Sequence, residues 1–464
     1  MAFHYEYEYL LTWKPDKNKL KRPIYQSLAE QLEADIANGT LPAGTKLPPQ
    51  RELANYLDIN FTTITRAYKI CELKGLIYAV TGSGTFVGAN QAQSVTISLE
   101  STSHEAIDLG FVSSFEQCND LLSSTARRVL SHQRFPRLGT YDYPTGMPDH
   151  KQIGIRWLRS LGVVCEEKNM AIVSGTQNGL ALSLLALFKP GSRIAVDTYC
   201  FANFIELAAI CHIHLVPIKG DSEGMLPDEL AYQCRLTSIQ GIFLVPSCNN
   251  PTTVMISEQR KKELAAVINQ YQLILLEDDI HAFLTAGLVE DYHGPLCRYV
   301  PDRFVYLSGT SKPICSGLRV TYMGFSPKFR QPLVRALLNI NVKTSSLDVE
   351  VVSAAIASGK ARQIIEKKRQ LAIERNSLFD LYFPNAAKPG HPLPFFRWLP
   401  IQDSRSRSQV EQELLTKGIS VYHSDRFLCG PRQPQQYLRV SLVTTPTIEQ
   451  FQKGLEILKN SIDI

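Results

Sequence analysis

Between Pro23 and Gly88 apolar residues recur at helical spacing. Tyr25, Leu28, Leu32 and Ile36 share one face of a predicted helix. Pro23 suits its first turn and Asn38-Gly39 stops it. The stretch 41–49, Leu-Pro-Ala-Gly-Thr-Lys-Leu-Pro-Pro, is a rigid connector, and Arg51–Leu57 predicts a second short helix. Asp58-Ile-Asn60 is a tight turn with an N-cap candidate ahead of a third helix, Phe61–Leu73. On that helix Ile64, Tyr68 and Leu73 look inward, whereas Thr62, Thr63, Thr65, Arg66 and Lys69 look outward, and Lys74-Gly75 ends it. Leu76–Val80 and Thr85–Val87 then read as a hairpin around Thr81-Gly-Ser-Gly84.

The rhythm then changes. Ala89–Glu105 is polar, serine-rich and without helical period, which predicts a flexible linker; a strand near Val95–Leu99 is the other reading, and the residues do not choose between them. Further on come short apolar runs of strand length: 171–173, 193–196, 241–246, 273–276, 304–307, 320–325 and 437–442. The division is therefore 1–88, a small helical domain with a hairpin; 89–105, a linker; and 106–464, an α/β domain. Three helices and a hairpin with a polar third helix make a winged helix-turn-helix, whose short hydroxyls and cations can reach phosphates and base edges in a major groove.

Composition narrows the field only moderately. With 464 residues and 44% apolar content, the chain can build two domains and bury a large core. The net charge of +5 permits nucleic-acid binding without arguing for it. Residues 1–88 carry ten Lys and Arg against nine Asp and Glu, so DNA binding there rests on placement more than bulk charge. Lys17–Arg22 is a charge run of the kind usually found as a solvated lead-in. Ten cysteines without a C-x-x-C spacing read as reduced, mostly buried thiols. Met1–Glu8 lacks the basic-then-apolar pattern of a signal peptide, and no apolar run approaches membrane-spanning length, so a soluble cytoplasmic protein is expected.

The chemistry gathers around Ser308-Gly-Thr-Ser-Lys-Pro-Ile-Cys-Ser-Gly-Leu-Arg319, a lysine in a loop of small hydroxyl residues between two apolar runs. Upstream, Asn250-Pro-Thr252 follows one apolar strand, and Glu277-Asp278-Asp279 ends another. Taken singly these have plain readings: Lys312 a surface lysine, Asn250 a turn former before proline, Asp278 a strand-end turn residue. Ser174-Gly-Thr-Gln177 joins a strand to a helix start, where backbone N–H groups and the helix dipole make an anion site. Arg439 stands on a strand-like run, with a bidentate fork suited to a carboxylate; a salt bridge on an antiparallel strand is the alternative.

In this order, Asn-Pro-Thr, the strand-end aspartate and Ser-x-x-Ser-Lys-x-x-x-x-Gly-x-Arg resemble the fold-type I aminotransferases, which bind pyridoxal 5′-phosphate (PLP). The resemblance runs from about Ile107 to the C-terminus. Leu47-Pro-Pro-Gln-Arg-Glu-Leu-Ala54, Thr62–Tyr68 and Gly82-Ser-Gly-Thr-Phe-Val87 resemble the DNA-binding domain of GntR-family regulators. The two together are the architecture of the MocR subfamily, which the whole chain resembles; Tyr141-Asp-Tyr-Pro-Thr-Gly146 matches an early segment of that family.

The resemblance implies an α/β fold with a seven-stranded mixed sheet, a homodimer and an operator of paired or repeated half-sites. It implies Lys312 for the Schiff base, Asp278 for the pyridine nitrogen and Asn250 for the ring hydroxyl. Phe201, or failing it Tyr199, would stack on the ring. Gly175, Thr176, Gln177, Ser308, Thr310, Ser311 and Arg319 would hold the phosphate, and Arg439 a substrate or effector carboxylate. DNA contacts fall to Arg51, Thr62, Thr63, Arg66 and Gly84. Three departures stand out. Phe61 occupies a position often polar or basic. Ile280 and His281 stand where many relatives carry a tyrosine, and His281 is expected to titrate near neutrality. Gly390–Trp398 replaces an expected glycine pair and bears on the substrate side of the pocket. No metal is expected. The function implied is a PLP-dependent transcriptional regulator of vitamin B6 or amino-acid genes, with PLP or its aldimine with an amine as effector and without net turnover. A working aminotransferase with a vestigial DNA-binding domain is the alternative.

Overall fold

A computed structural model of the chain describes residues 11–37, 40–41, 45–73, 76–80, 84–87, 95–98, 106–133, 135–290, 292–402 and 405–462. The small domain holds helices α1 (Ile24–Ala37), α2 (Gln50–Leu57) and α3 (Phe61–Leu73) and the antiparallel strands β1 (Ile77–Val80) and β2 (Gly84–Val87). Its core gathers Leu28, Leu32, Ile36, Leu53, Leu57, Ile64, Tyr68, Ile77 and Val87, so the apolar faces read from the spacing are the ones buried. The turn between α2 and α3 is tight because Asp58 adopts a left-handed φ of 53° and Asn60 caps α3. The Asn60 side chain accepts from the Thr62 N–H at 2.8 Å and from its hydroxyl at 2.7 Å. Residues 81–83 and Gly88, and the Leu73 side chain, lie outside the described residues.

The charge run Lys17–Arg22 is solvated as expected, whereas a tryptophan ahead of it is not. Lys17, Lys19, Lys21 and Arg22 are exposed, but Trp13 is only 4% exposed, packs into the same core and donates its indole N–H to Asp35 at 2.9 Å. An indole is large and apolar enough to find the core from outside the helical pattern, which a reading by charge does not detect.

The large domain is built on seven strands: β3 (Met170–Val173), β4 (Arg193–Asp197), β5 (His214–Ile218), β6 (Gly241–Leu244), β7 (Ile274–Asp278), β8 (Phe304–Gly309) and β9 (Thr321–Phe325). They lie in the order β3-β9-β8-β7-β6-β4-β5, with β9 antiparallel to both neighbours and the other adjacent pairs parallel. The sheet is covered on both faces, so its strands are near-continuous apolar runs. Successive residues enter opposite cores: Leu275, Phe304 and Tyr306 face one, Leu276, Val305 and Leu307 the other. The apolar run 241–246 yields a strand only to Leu244, because beyond it the chain turns through Pro246 toward Asn250. Toward the C-terminus, β10 (Phe396–Ile401), β11 (Tyr422–His423) and β12 (Gln436–Ser441) form an antiparallel sheet in the order β10-β12-β11.

Of the expected linker 89–105, only residues 95–98 are among those described. They form no strand, yet Val95 and Ile97 are buried, 1% and 7% exposed, against Ala202, Tyr422 and Phe427. Among the described residues no helix is long and apolar enough to cross a membrane.

Candidate functional site

In open α/β sheets, ligand sites form beyond the carboxyl ends of the strands where strand order reverses. Here β3, β4, β6, β7 and β8 end around a cavity of about 350 Å³. Of the expected residues, Thr176, Gln177, Phe201, Asn250, Asp278, His281, Ser311, Lys312, Arg319 and Arg439 line it.

At one end, β3 turns through Gly175 into helix α4 (Thr176–Leu187). Gly175 has a φ of +87°, and a Cβ there would lie 2.4 Å from Arg319 Nη2. Glycine therefore lets the Arg319 guanidinium close on the backbone at the start of α4. Arg319, itself left-handed at φ 49°, also donates to the Ser311 hydroxyl at 3.2 Å. A cation, a hydroxyl and a helix N-terminus converge, which is what an anion needs.

Lys312 sits in the middle. Its Nζ donates to the carbonyl oxygens of Val112 and, at 2.9 Å, Ser113. Burial, and then the positive charges of Arg439, Lys368 and Arg319, push its pKa down to about 7. A neutral amine keeps two N–H groups for those carbonyls and a lone pair for chemistry.

Asp278, at the end of β7, is buried with Oδ1 lacking a hydrogen-bond partner among the described residues. Burial and the neighbouring Asp279 raise its carboxyl to about 7. A carboxylate in that setting is suited to a cationic partner. Asn250 accepts from Arg439 Nη1 at 2.8 Å, and Arg439 Nη2 donates to the Gly110 carbonyl at 2.7 Å. The guanidinium lies 4.8 Å from the Phe427 ring centroid, and Arg439 is 1% exposed. It faces the cavity rather than forming a strand-surface salt bridge.

Several expectations change. Ser308 lies inside β8, 2% exposed, and its hydroxyl accepts from the Trp157 indole at 3.0 Å; it does not line the cavity. A strand two residues longer than the apolar run turned that side chain away. Thr310 donates to the Val320 carbonyl at 2.8 Å and is also off the cavity. Tyr199 joins Trp398 and Tyr437 instead, leaving Phe201 at the cavity. His281 does not titrate near neutrality: burial, then Lys312, His391 and Arg439, hold its pKa at about 3, and neither ring nitrogen has a hydrogen-bond partner among the described residues. Gly390–Trp398 supplies no cavity-lining residue, although Phe395 and Phe396 pack edge-on against His281.

Ile97, Phe111, Val112, Asn203 and Val245 line the cavity without having been expected there, and Ile280, noted in the sequence only as standing in place of a tyrosine, joins them. Val245 directly follows β6 and Ile280 stands two residues past β7, so both were within reach of a strand-end argument. Phe111 and Val112 carry no local signal beyond apolarity.

On the small domain, Arg51, Phe61, Thr62, Thr65, Arg66 and Lys69 are exposed and Thr63 partly so. The Arg66 guanidinium lies 5.8 Å from the centroid of the Tyr25 ring. Gly84 has a φ of +124°, with a would-be Cβ 2.8 Å from Lys46 Cε.

Residues 24–87 match the family described as bacterial regulatory proteins, gntR family, and residues 113–458 match aminotransferase class I and II. The HTH-type transcriptional regulator YdeF of Bacillus subtilis is 32% identical over 455 residues, covering 98% of each chain. This chain is a MocR-type regulator. The vitamin B6 salvage pathway transcriptional repressor PtsJ of Salmonella typhimurium is 26% identical over 432 residues, covering 92% of this chain and 95% of PtsJ. Among solved structures, an archaeal alanine:glyoxylate aminotransferase superposes with a TM-score of 0.70 at 17% identity, covering 78% of this chain and 91% of its own. The α-aminoadipate aminotransferase LysN of Thermus thermophilus gives 0.69 at 18% identity, covering 79% and 95%. The MocR-type chain thus joins a gntR-family DNA-binding domain to an aminotransferase fold, and its family's cofactor is PLP. The residues fit that cofactor: an anion cradle, a buried lysine of lowered pKa and an orphaned carboxylate oxygen share one cavity of suitable size.

Proposed function

We propose that this MocR-type regulator reads PLP in the cavity and changes its hold on operator DNA accordingly. The observation that carries the reading is Lys312, buried beside Asp278 with its pKa lowered to about 7, in a chain that also bears a gntR-family domain. PLP supplies an aldehyde and an electron sink. Lys312 would join the aldehyde, Asp278 would hold the proton on the pyridine nitrogen, Asn250 would bond the ring hydroxyl and Phe201 would stack on the ring. Gly175, Thr176, Gln177, Ser311 and Arg319 would cradle the phosphate. His281, neutral at physiological pH, would offer a hydrogen bond without adding charge, and Arg439 would clasp the carboxylate of an amino compound. On DNA, Thr62, Thr63 and Arg66 would enter the major groove, with Arg51 and the backbone at Gly84 on phosphates.

Genes of vitamin B6 metabolism are the proposed target, with PLP itself as effector; the name of PtsJ supports this choice. A homodimer acting in the cytoplasm is part of the reading. Exposed Phe135, Tyr141, Tyr143, Leu338, Ile340 and Val342 offer apolar surface for self-association. Lys343 donates to the Thr140 and Asp142 carbonyls, bringing two of these segments together.

The test is fluorescence anisotropy of the purified protein on its own upstream DNA, at fixed salt, with and without PLP. The expected result is specific binding whose affinity shifts with PLP, and no shift in Lys312→Ala. The assembled lysine, aspartate and arginine set also favours a working aminotransferase. Sustained turnover of an amino donor and a keto-acid acceptor, without specific DNA binding, would replace the regulatory reading.

A further inference from the structure

Between the end of the gntR match at residue 87 and the start of the aminotransferase match at 113, residues 95–98 lie pressed onto helix α5 (Ala202–Ile210). The contact is polar as well as apolar. The Val95 N–H donates to Glu206 Oε1, and the Ile97 N–H donates to Asn203 Oδ1 at 3.0 Å. Asn203 returns its amide N–H to the Ile97 carbonyl at 3.2 Å, so this stretch is clamped in both directions. Tyr422 adds a bond from its hydroxyl to the Ser98 carbonyl at 3.3 Å.

Two of these residues also border the cavity: Ile97 and Asn203 line it directly. The Asn203 carbonyl accepts from Gln177 Nε2 at 3.2 Å, and Gln177 stands at the first turn of α4, beside the anion cradle. A path of direct contacts therefore runs from the cradle through Asn203 to the connecting segment. The segment leading to the DNA-binding domain is at once part of the ligand site.

We infer that residues 95–98 are a seated wall of the ligand cavity, and that ligand occupancy and seating of the connector are one linked equilibrium. This rests on the PLP reading above and names how that site is coupled to the DNA-binding domain. A ligand that fills the cavity binds the seated form more tightly than an unseated form lacking the Ile97 wall, and so shifts the connector toward its seat. The effect is reciprocal: whatever unseats the connector weakens ligand binding by the same factor.

The experiment uses the full chain with PLP as probe. Affinity is read from the visible absorbance of PLP joined to lysine, and seating from hydrogen exchange at the amides of residues 95–98. Val95→Asp puts a charge into the buried seat, and Glu206→Ala removes the acceptor of the Val95 N–H; neither residue lines the cavity. If unseating leaves about a fifth of molecules in the competent form, the apparent Kd for PLP rises about fivefold. Both variants are expected to show a rise of this order, and wild-type exchange at 95–98 is expected to slow when PLP is added. Far-ultraviolet circular dichroism checks folding, and the Glu206 variant stands as the milder of the two. Unchanged exchange on adding PLP, or a Kd within about twofold of wild type in the folded variants, would overturn the coupling while leaving the cofactor reading intact. Wild-type protein that shows no PLP absorbance at all would overturn the cofactor reading, and this inference with it.

Discussion

Lys312 is expected to capture PLP at neutral pH, and the structure sets the size of the effect. Its pKa lies at about 7 against an ordinary 10.5. At pH 7 about half of this lysine is free amine, against about three in ten thousand for a solvent lysine, so the reactive population is larger by roughly a thousandfold. The rate of PLP capture, followed by stopped-flow absorbance from acid to mildly alkaline pH, should therefore rise through a midpoint near 7 and level off above it. Arg439 is the first of the charges responsible. Arg439→Met removes a positive charge from the cavity while keeping an apolar stem against Phe427. The midpoint should then move up by about one unit, the scale of a single removed like charge, and capture at pH 7 should slow about fivefold. Lys312→Ala supplies the baseline. A midpoint close to that of an ordinary lysine, or one indifferent to Arg439→Met, would refute the idea that burial and neighbouring charge activate this amine.

Further outcomes follow from other residues. Asp278 has its pKa raised from 3.8 to about 7, so PLP-free protein should lose stability as pH rises through that window. The loss approaches about 4 kcal/mol, from a shift of about three units. Chemical denaturation at pH 5 and pH 8 should show this slope flattened in Asp278→Asn. Gly175→Ala places a Cβ against Arg319 at a positive φ. It should cost about 1–2 kcal/mol in thermal unfolding and weaken PLP binding, and wild-type behaviour would remove the close approach as an explanation. Arg66→Ala should weaken operator binding and lower the slope of log affinity against log salt by about one if it meets a phosphate. The PLP absorbance of that variant should match wild type.

How much of this was legible depended on how far apart the interacting residues lie in the chain. The helices of the small domain were readable because each apolar face is local, and the Asp58–Asn60 turn because left-handed backbone and capping act within a few residues. The lysine loop and Asp278 stood out only through their ordered resemblance to fold-type I aminotransferases, since each taken singly had a plain reading. The state of His281 was not, since its low pKa comes from burial, deepened by charges on residues as distant as Arg439. Ser308 was misplaced because pairing with β9 extends β8 past its apolar run to Gly309. The seat of residues 95–98 was out of reach: Val95-Thr-Ile97 alternates like a half-buried strand, but its acceptors are side chains on α5, over a hundred residues on.

Trp13 carries a practical consequence for anyone excising the DNA-binding module. Similarity to the gntR family begins at residue 24, yet the module's hydrophobic interior draws on an indole eleven positions earlier. A fragment cut at the similarity boundary would leave a hole the size of a tryptophan between its helices and strip Asp35 of its indole donor. Truncations of that kind in packed interiors cost about 3–5 kcal/mol, a large share of what a domain this small has in reserve. The unit that folds and the unit that is recognisable by descent therefore have different first residues.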